Sequence, residues 1–119
     1  MDTTFAEKDT HLAVTCKGEW THESVIALVE SIVEMAASSG NTRILVDWLE
    51  VSAPHSEFDR FQGGALVAEL IGPLRKLAVI YRNELINKFA ENAAVNRGAN
   101  MLVCSTRDEA LKWLLADDT

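Results

Sequence analysis

Cationic residues are scarce in this chain. Eleven Lys and Arg stand against eighteen Asp and Glu, the formal net charge is −7, and the basic residues are scattered, with Arg75-Lys76 their only adjacent pair. Binders of phosphate backbones and anionic lipid surfaces draw their affinity mainly from Lys and Arg contacts, so nucleic acid and membrane surfaces are not expected as partners. Cysteine is nearly missing too: Cys16 and Cys104 lie within apolar runs without C-x-x-C spacing, which reads as small buried thiols in a reducing compartment. His11, His22 and His55 show no His-x-x-x-His spacing, and neither a metal nor another cofactor is expected. No apolar run approaches the roughly 20 residues of a membrane span, because Glu30, Glu34 and Glu69 interrupt the longest candidates. Asp2, Glu7, Lys8 and Asp9 break any apolar centre that a signal peptide would need, and a cytoplasmic location is expected. A nucleophile elbow of Gly-x-Ser-x-Gly form is also missing. Ser56, His22 or His55, and Asp47 are the best triad that can be assembled, and spacing does not bring them together, so no catalytic activity is expected.

What is present is an ordinary globular composition, 48% hydrophobic and 24% charged, in a length that fits one domain over residues 1–119. The organising stretch is Arg43-Ile44-Leu45-Val46-Asp47-Trp48: its aliphatic run predicts a strand buried on both faces, closed by a single carboxylate. Leu12–Lys17 reads as a strand, with Phe5 and its neighbours as a short antiparallel partner turned at Lys8-Asp9-Thr10. Thr21 caps a helix whose stripe runs Val25, Leu28, Val29, Ile32, Val33 and Ala36 to a stop at Gly40. After a loop from Leu49 to His55, Ser56 and Glu57 open a second helix to about Leu70, with Phe58, Phe61, Ala65 and Leu66 facing inward. Gly63-Gly64 in its middle predicts a kink or a close contact, and Gly72-Pro73 ends it. Leu77–Tyr81 is a further strand. Asn83 caps a third helix with the stripe Leu85, Ile86, Phe89, Ala90, Ala93 and Ala94. Met101–Cys104 is the last strand, and Thr106 with Glu109 forms a capping box ahead of a helix that places Trp113 in the core. The tail Asp117–Thr119 is expected to fray.

Strands alternating with helices mean right-handed crossovers and a mostly parallel sheet, covered either on both faces or on one. Three passages together resemble the SpoIIAA-like, STAS-like family of small bacterial domains. They are Gly18-Glu19-Trp20-Thr21, the strand Ile44-Leu45-Val46-Asp47, and Asn100 to Leu115 with Glu109-Ala110-Leu111-Lys112-Trp113-Leu114. The resemblance implies an α/β fold with a four- to five-stranded mostly parallel, mixed sheet and helices mainly on one face. It also matches Asp47 to the aspartate at the end of the family's central strand. Regulatory members carry a phosphorylatable serine in an Asp-Ser-Ser/Thr-Gly turn at the start of the second helix, where this chain reads Asp59-Arg60-Phe61-Gln62-Gly63-Gly64. The serine is absent, and the phosphate switch is not carried over.

At the carboxyl ends of parallel strands the sequence would gather His22, Asp47, Trp48, His55, Arg82 and Arg107. Helix starts there offer free N–H groups, so this set is the candidate site for a small anion or carboxylate. The plainer reading makes Thr21, Ser56, Asn83 and Thr106 simple caps and leaves the histidines solvated. The expected function is a non-catalytic regulatory or scaffold module working through protein contacts. The alternative is a carrier of a small apolar or amphipathic ligand between helices and sheet, marked by a cavity bordered by Phe58, Phe61, Phe89 and Trp48. A two-fold homodimer is expected as well, burying a face formed by Leu12, Val14 and Cys16.

Overall fold

In the computed structural model, which describes residues 1–54, 56–72 and 75–116 with backbone alone at 89 and 90, the five strands lie in the order of the chain. β1 (Asp2–Glu7) runs antiparallel to β2 (Leu12–Gly18), and β3 (Arg43–Val51), β4 (Lys76–Ile80) and β5 (Asn100–Cys104) follow in parallel. The first turn is held by the Lys8 N–H donating to the His11 carbonyl at 2.9 Å. Parallel neighbours in sequence order need a crossover each. Crossovers of one hand place α1 (His22–Ser39), α2 (Glu57–Leu70) and α3 (Phe89–Val95) on the same face.

Side-chain alternation along the strands then divides the core in two. Leu12, Val14, Cys16, Ile44, Val46 and Leu77 pack with Val25, Leu28, Val29, Ile32 and Val67 of the first two helices. Leu45, Ala78, Ile80 and Cys104 point the other way and meet Ala110 and Leu114 of α4 (Arg107–Leu114), which lies alone on the second face. The fold is thus α/β, with a mixed five-stranded sheet and helices mainly on one side. Ile44, Leu45 and Val46 are all at most 3% exposed, which is the doubly buried strand that the aliphatic run requires.

Local chemistry accounts for the helix ends. Thr21 and Ser24 form a complete capping box on α1, and Gly40 closes that helix at φ 74°, a left-handed conformation that glycine adopts without steric cost. Ser56 and Thr106 accept from the N–H groups of Asp59 and Glu109, each at 3.2 Å.

Four expectations are corrected. The third helix does not begin at Asn83: Asn83–Leu85 forms one 3-10 turn, Ile86 is extended, and α3 starts after Lys88 at φ 64°. Ties across the fold hold this break. Asn87 donates to the Glu57 carboxylate, while the Lys88 ammonium bridges Glu91 and the Val103 carbonyl. β3 runs on to Val51 instead of ending before Leu49, because it still pairs with β2 after β4 has stopped at Ile80. Of the expected inward face of α2, Leu66 does pack against the core beside the buried Gly64 and Val67, whereas Phe58 is 65% exposed and Phe61 lies under the Arg97 guanidinium, 4.6 Å away. Leu12, Val14 and Cys16 face the helices, so the open part of the other face carries Thr4, Ala6, Ala13 and Thr15. The side chains of Phe89 and Ala90 and the tail Asp117–Thr119 lie outside what is described, as does Pro73.

Candidate functional site

Asp47 stands where β3 loses its partner β4, since Asp47 opposite Ile80 is the last pair between them. A register shift against β2 follows at once, between Thr15 and Lys17. The carboxylate serves this irregularity: its Oδ1 accepts from the Leu49 N–H two residues on at 3.1 Å, and its Oδ2 faces Arg107 Nη2 at 3.4 Å. Arg107 opens α4, so the ion pair pins the start of the lone helix to the central strand. With side chains 22% and 54% exposed, the pair is water-facing and weak. His11 lies near it. Burial, then the positive charges of Lys8 and Arg107, hold its imidazole below the usual range.

The other expected site residues do not join this pair. Trp48 is half-buried and points to the opposite face, toward α1 and α2. Arg82 donates from Nη2 to the Val51 carbonyl at 3.1 Å and so closes the end of β3. His22 is exposed at the start of α1, and His55 lies outside the described residues. Among the described residues, the charged side chains at the strand ends thus take part in structural ties. Ser52 belongs to the same ties, accepting from the Trp20 N–H at 2.9 Å while its carbonyl accepts from the Tyr81 hydroxyl at 3.3 Å.

Two features escaped the sequence reading, the roles of Lys76 and Glu91. Lys76, one residue before the expected strand, is 7% exposed; its ammonium donates to the Trp113 and Ala116 carbonyls at 2.8 and 3.3 Å and lies 4.6 Å from the Trp113 ring. A cation at those carbonyls complements the end of α4, and it explains why Trp113 sits half-buried beside the core while Ala110 and Leu114 fill it. Glu91 accepts from the Val103 N–H at 2.9 Å, so α3 satisfies the edge strand β5 with Lys88 and Glu91 together. A cavity of about 120 Å³ opens between α1, α2 and the sheet, lined by Trp20, Trp48, Arg60, Gly63, Val67 and Tyr81 among others. Of the three described side chains expected to border such a space, Phe58, Phe61 and Trp48, the last does so. A signal for the cavity existed in Gly63: a Cβ built there would sit 3.7 Å from the Trp20 ring, an ordinary contact distance, so the glycine leaves about a methyl's worth of space open at the wall.

No protein-family model matches the chain, and no curated protein matches it. Solved structures do. An anti-sigma factor antagonist from Mycobacterium paratuberculosis superposes with a TM-score of 0.66 at 17% identity, over 97% of this chain and 94% of its own. An uncharacterised protein from Shewanella loihica with a SpoIIAA-like fold gives 0.57 at 21% identity over 95% and 92%. The fold is SpoIIAA-like. RsbS of Moorella thermoacetica, in a serine-to-glutamate form, gives 0.55 at 16% identity over 96% and 95%. At such identities the likeness concerns the SpoIIAA-like architecture, which spans the chain from β1 to α4. Among the described residues no helix is long and apolar enough to cross a membrane.

Proposed function

We propose that this SpoIIAA-like domain is a non-catalytic regulatory or scaffold module of the bacterial cytoplasm, acting through contact with another protein and without a phosphoserine switch. The observation behind this reading is Phe58. Its ring is 65% exposed on the first turn of α2, where it packs nothing in the core, and exposed aromatic rings are the side chains that most often anchor protein contacts. One structural neighbour is named for antagonism of another protein, an anti-sigma factor, which accords with such a role. The charged groups at the strand ends also favour a non-catalytic reading, because Asp47 and Arg107 are engaged in tying β3 to α4 and Arg82 in closing the end of β3.

The segment Asp59 to Gly64 contains no hydroxyl group, and the Ser56 hydroxyl is occupied as the cap of α2. Contact through Phe58 is therefore constitutive. The test is photo-crosslinking in cells with benzoylphenylalanine placed at position 58 or, as a control on the exposed side of α1, at position 30. One discrete adduct at position 58 and none at 30 is the expected result. Equal labelling at both positions would remove the α2 start as the contact surface.

A further inference from the structure

The cavity between α1, α2 and the sheet is too small for a long acyl chain and large for a packing defect. Interiors of close-packed proteins hold few voids wider than a water molecule, whereas this one measures about 120 Å³. A dry apolar cavity of roughly 150 Å³ accepts a single benzene ring, and pockets for drug-sized ligands begin near 300 Å³. Size therefore selects one ring or a chain of a few carbons.

The lining fixes the chemistry further. Among the described residues around the cavity, the side chains with polar atoms are Trp20, Trp48, Arg60 and Tyr81. Indole and guanidinium groups only donate hydrogen bonds, and the Tyr81 hydroxyl already donates to the Ser52 carbonyl. No described lining residue brings a carboxylate or an amide, so the ligand must supply the acceptors. Arg60 is the one charged residue there, with its side chain 15% exposed, and it meets Glu57 through a single Nε contact at 3.5 Å. Glu57 is in turn shared with Asn87, whose amide lies 2.9 and 2.8 Å from its two oxygens. A guanidinium fork is matched by a two-oxygen acceptor, and one long contact leaves that match unfilled.

We infer that the cavity is a binding site for a small aromatic or short-chain carboxylic acid, its apolar body between Trp20, Trp48 and Val67 and its carboxylate at Arg60. This goes beyond the protein-contact role and narrows the carrier alternative to ring-sized ligands, because a lipid does not fit.

Benzoate is the probe, with toluene and palmitate as comparisons, followed by calorimetry and by tryptophan fluorescence. Expected is saturable one-to-one binding of benzoate with an emission change from the two indoles in the wall. Arg60→Gln should weaken benzoate at least tenfold and leave toluene within twofold. Gly63→Leu, whose side chain starts 3.7 Å from the Trp20 ring, should abolish both; should that variant not fold, Gly63→Ala is expected to weaken both by occupying the same space. Absence of saturable benzoate binding to the wild-type protein at millimolar concentration overturns the site. Benzoate binding unchanged in Arg60→Gln overturns the carboxylate assignment, and palmitate binding more tightly than benzoate overturns the size limit.

Discussion

Asp47 shows how one carboxylate can organise a strand end. It accepts the Leu49 N–H where β3 outruns β4, and that bond lies in an exposed position, so water can replace part of it when the side chain is removed. Asp47→Ala is accordingly expected to cost about 1 kcal/mol, the low end of the range for an orphaned donor. The midpoint of urea unfolding checks this, and an unchanged midpoint would mean the carboxylate serves something other than the fold. Cys16 shows the opposite case, a group that burial silences. Its thiol is 1% exposed, and burial raises its pKa from 9.0 to about 11. At pH 8 about one part in a thousand is thiolate, and the thiolate is the reactive form. Iodoacetamide should therefore label Cys16 far more slowly in the native protein than in urea. The raised value also fixes a sign: between pH 9 and 11 the unfolded chain has lost the proton that the folded one keeps, so Cys16 removes stability as pH rises through that window. Alkaline denaturation that begins at lower pH in a Cys16→Ala protein would contradict this.

The element most at odds with its sequence pattern is α2. Two glycines in its middle argue for a kink or a close contact, and the helix runs unbroken from Glu57 to Leu70 with the close contact present. The two glycines meet tertiary surroundings: Gly63 lies against the Trp20 indole, and Gly64 is buried. A methyl group at position 63 would meet that ring at 3.7 Å, an ordinary van der Waals distance. Gly63→Ala should therefore raise stability, by up to about 1 kcal/mol through helix propensity. A lower melting temperature would mean that the indole cannot accept the methyl. The parts that were legible in sequence rest on neighbours along the chain: the buried run of β3, the Thr21 and Thr106 caps, the stripe of α1 and the stop at Gly40. What was not legible depends on distant partners. The helix expected from Asn83 is broken by Asn87 reaching Glu57, thirty positions away, and Lys88 reaching Val103. Lys76 at the end of α4 spans 37 positions. For the candidate site, strand order brought Asp47 to Arg107 as the topology suggested, but the alternation of β3 sent Trp48 to the other face, which residue types at the strand ends could not reveal.

For the assembled fold, the two sheet faces decide how the molecule meets others. The dimer expected from the sequence was to bury Leu12, Val14 and Cys16, and all three lie in the core beneath α1. The open face offers threonine and alanine instead, which water tolerates. Antiparallel two-fold pairing of the β1 edge would set Asp2 of one copy near Glu7 of the other, a repulsive arrangement for an edge strand. The expected mass in sedimentation at micromolar concentration is therefore near 13.1 kDa. Twice that mass, reduced by Thr15→Lys, would restore the dimer on the open face. The surface proposed for a partner is the start of α2, where Phe58 is the most exposed of the large hydrophobic side chains among the described residues. The most direct measurement is the affinity of the partner crosslinked at position 58 for three proteins: wild type, Phe58→Asp and Ser56→Asp. Aspartate caps helices as well as serine does, so the last variant keeps α2 while adding the charge of a phosphomimetic. The account predicts that Phe58→Asp weakens binding at least tenfold, about 1.4 kcal/mol, and that Ser56→Asp stays within twofold of wild type. Retained affinity in Phe58→Asp, or a tenfold loss in Ser56→Asp, would contradict a constitutive contact through this surface.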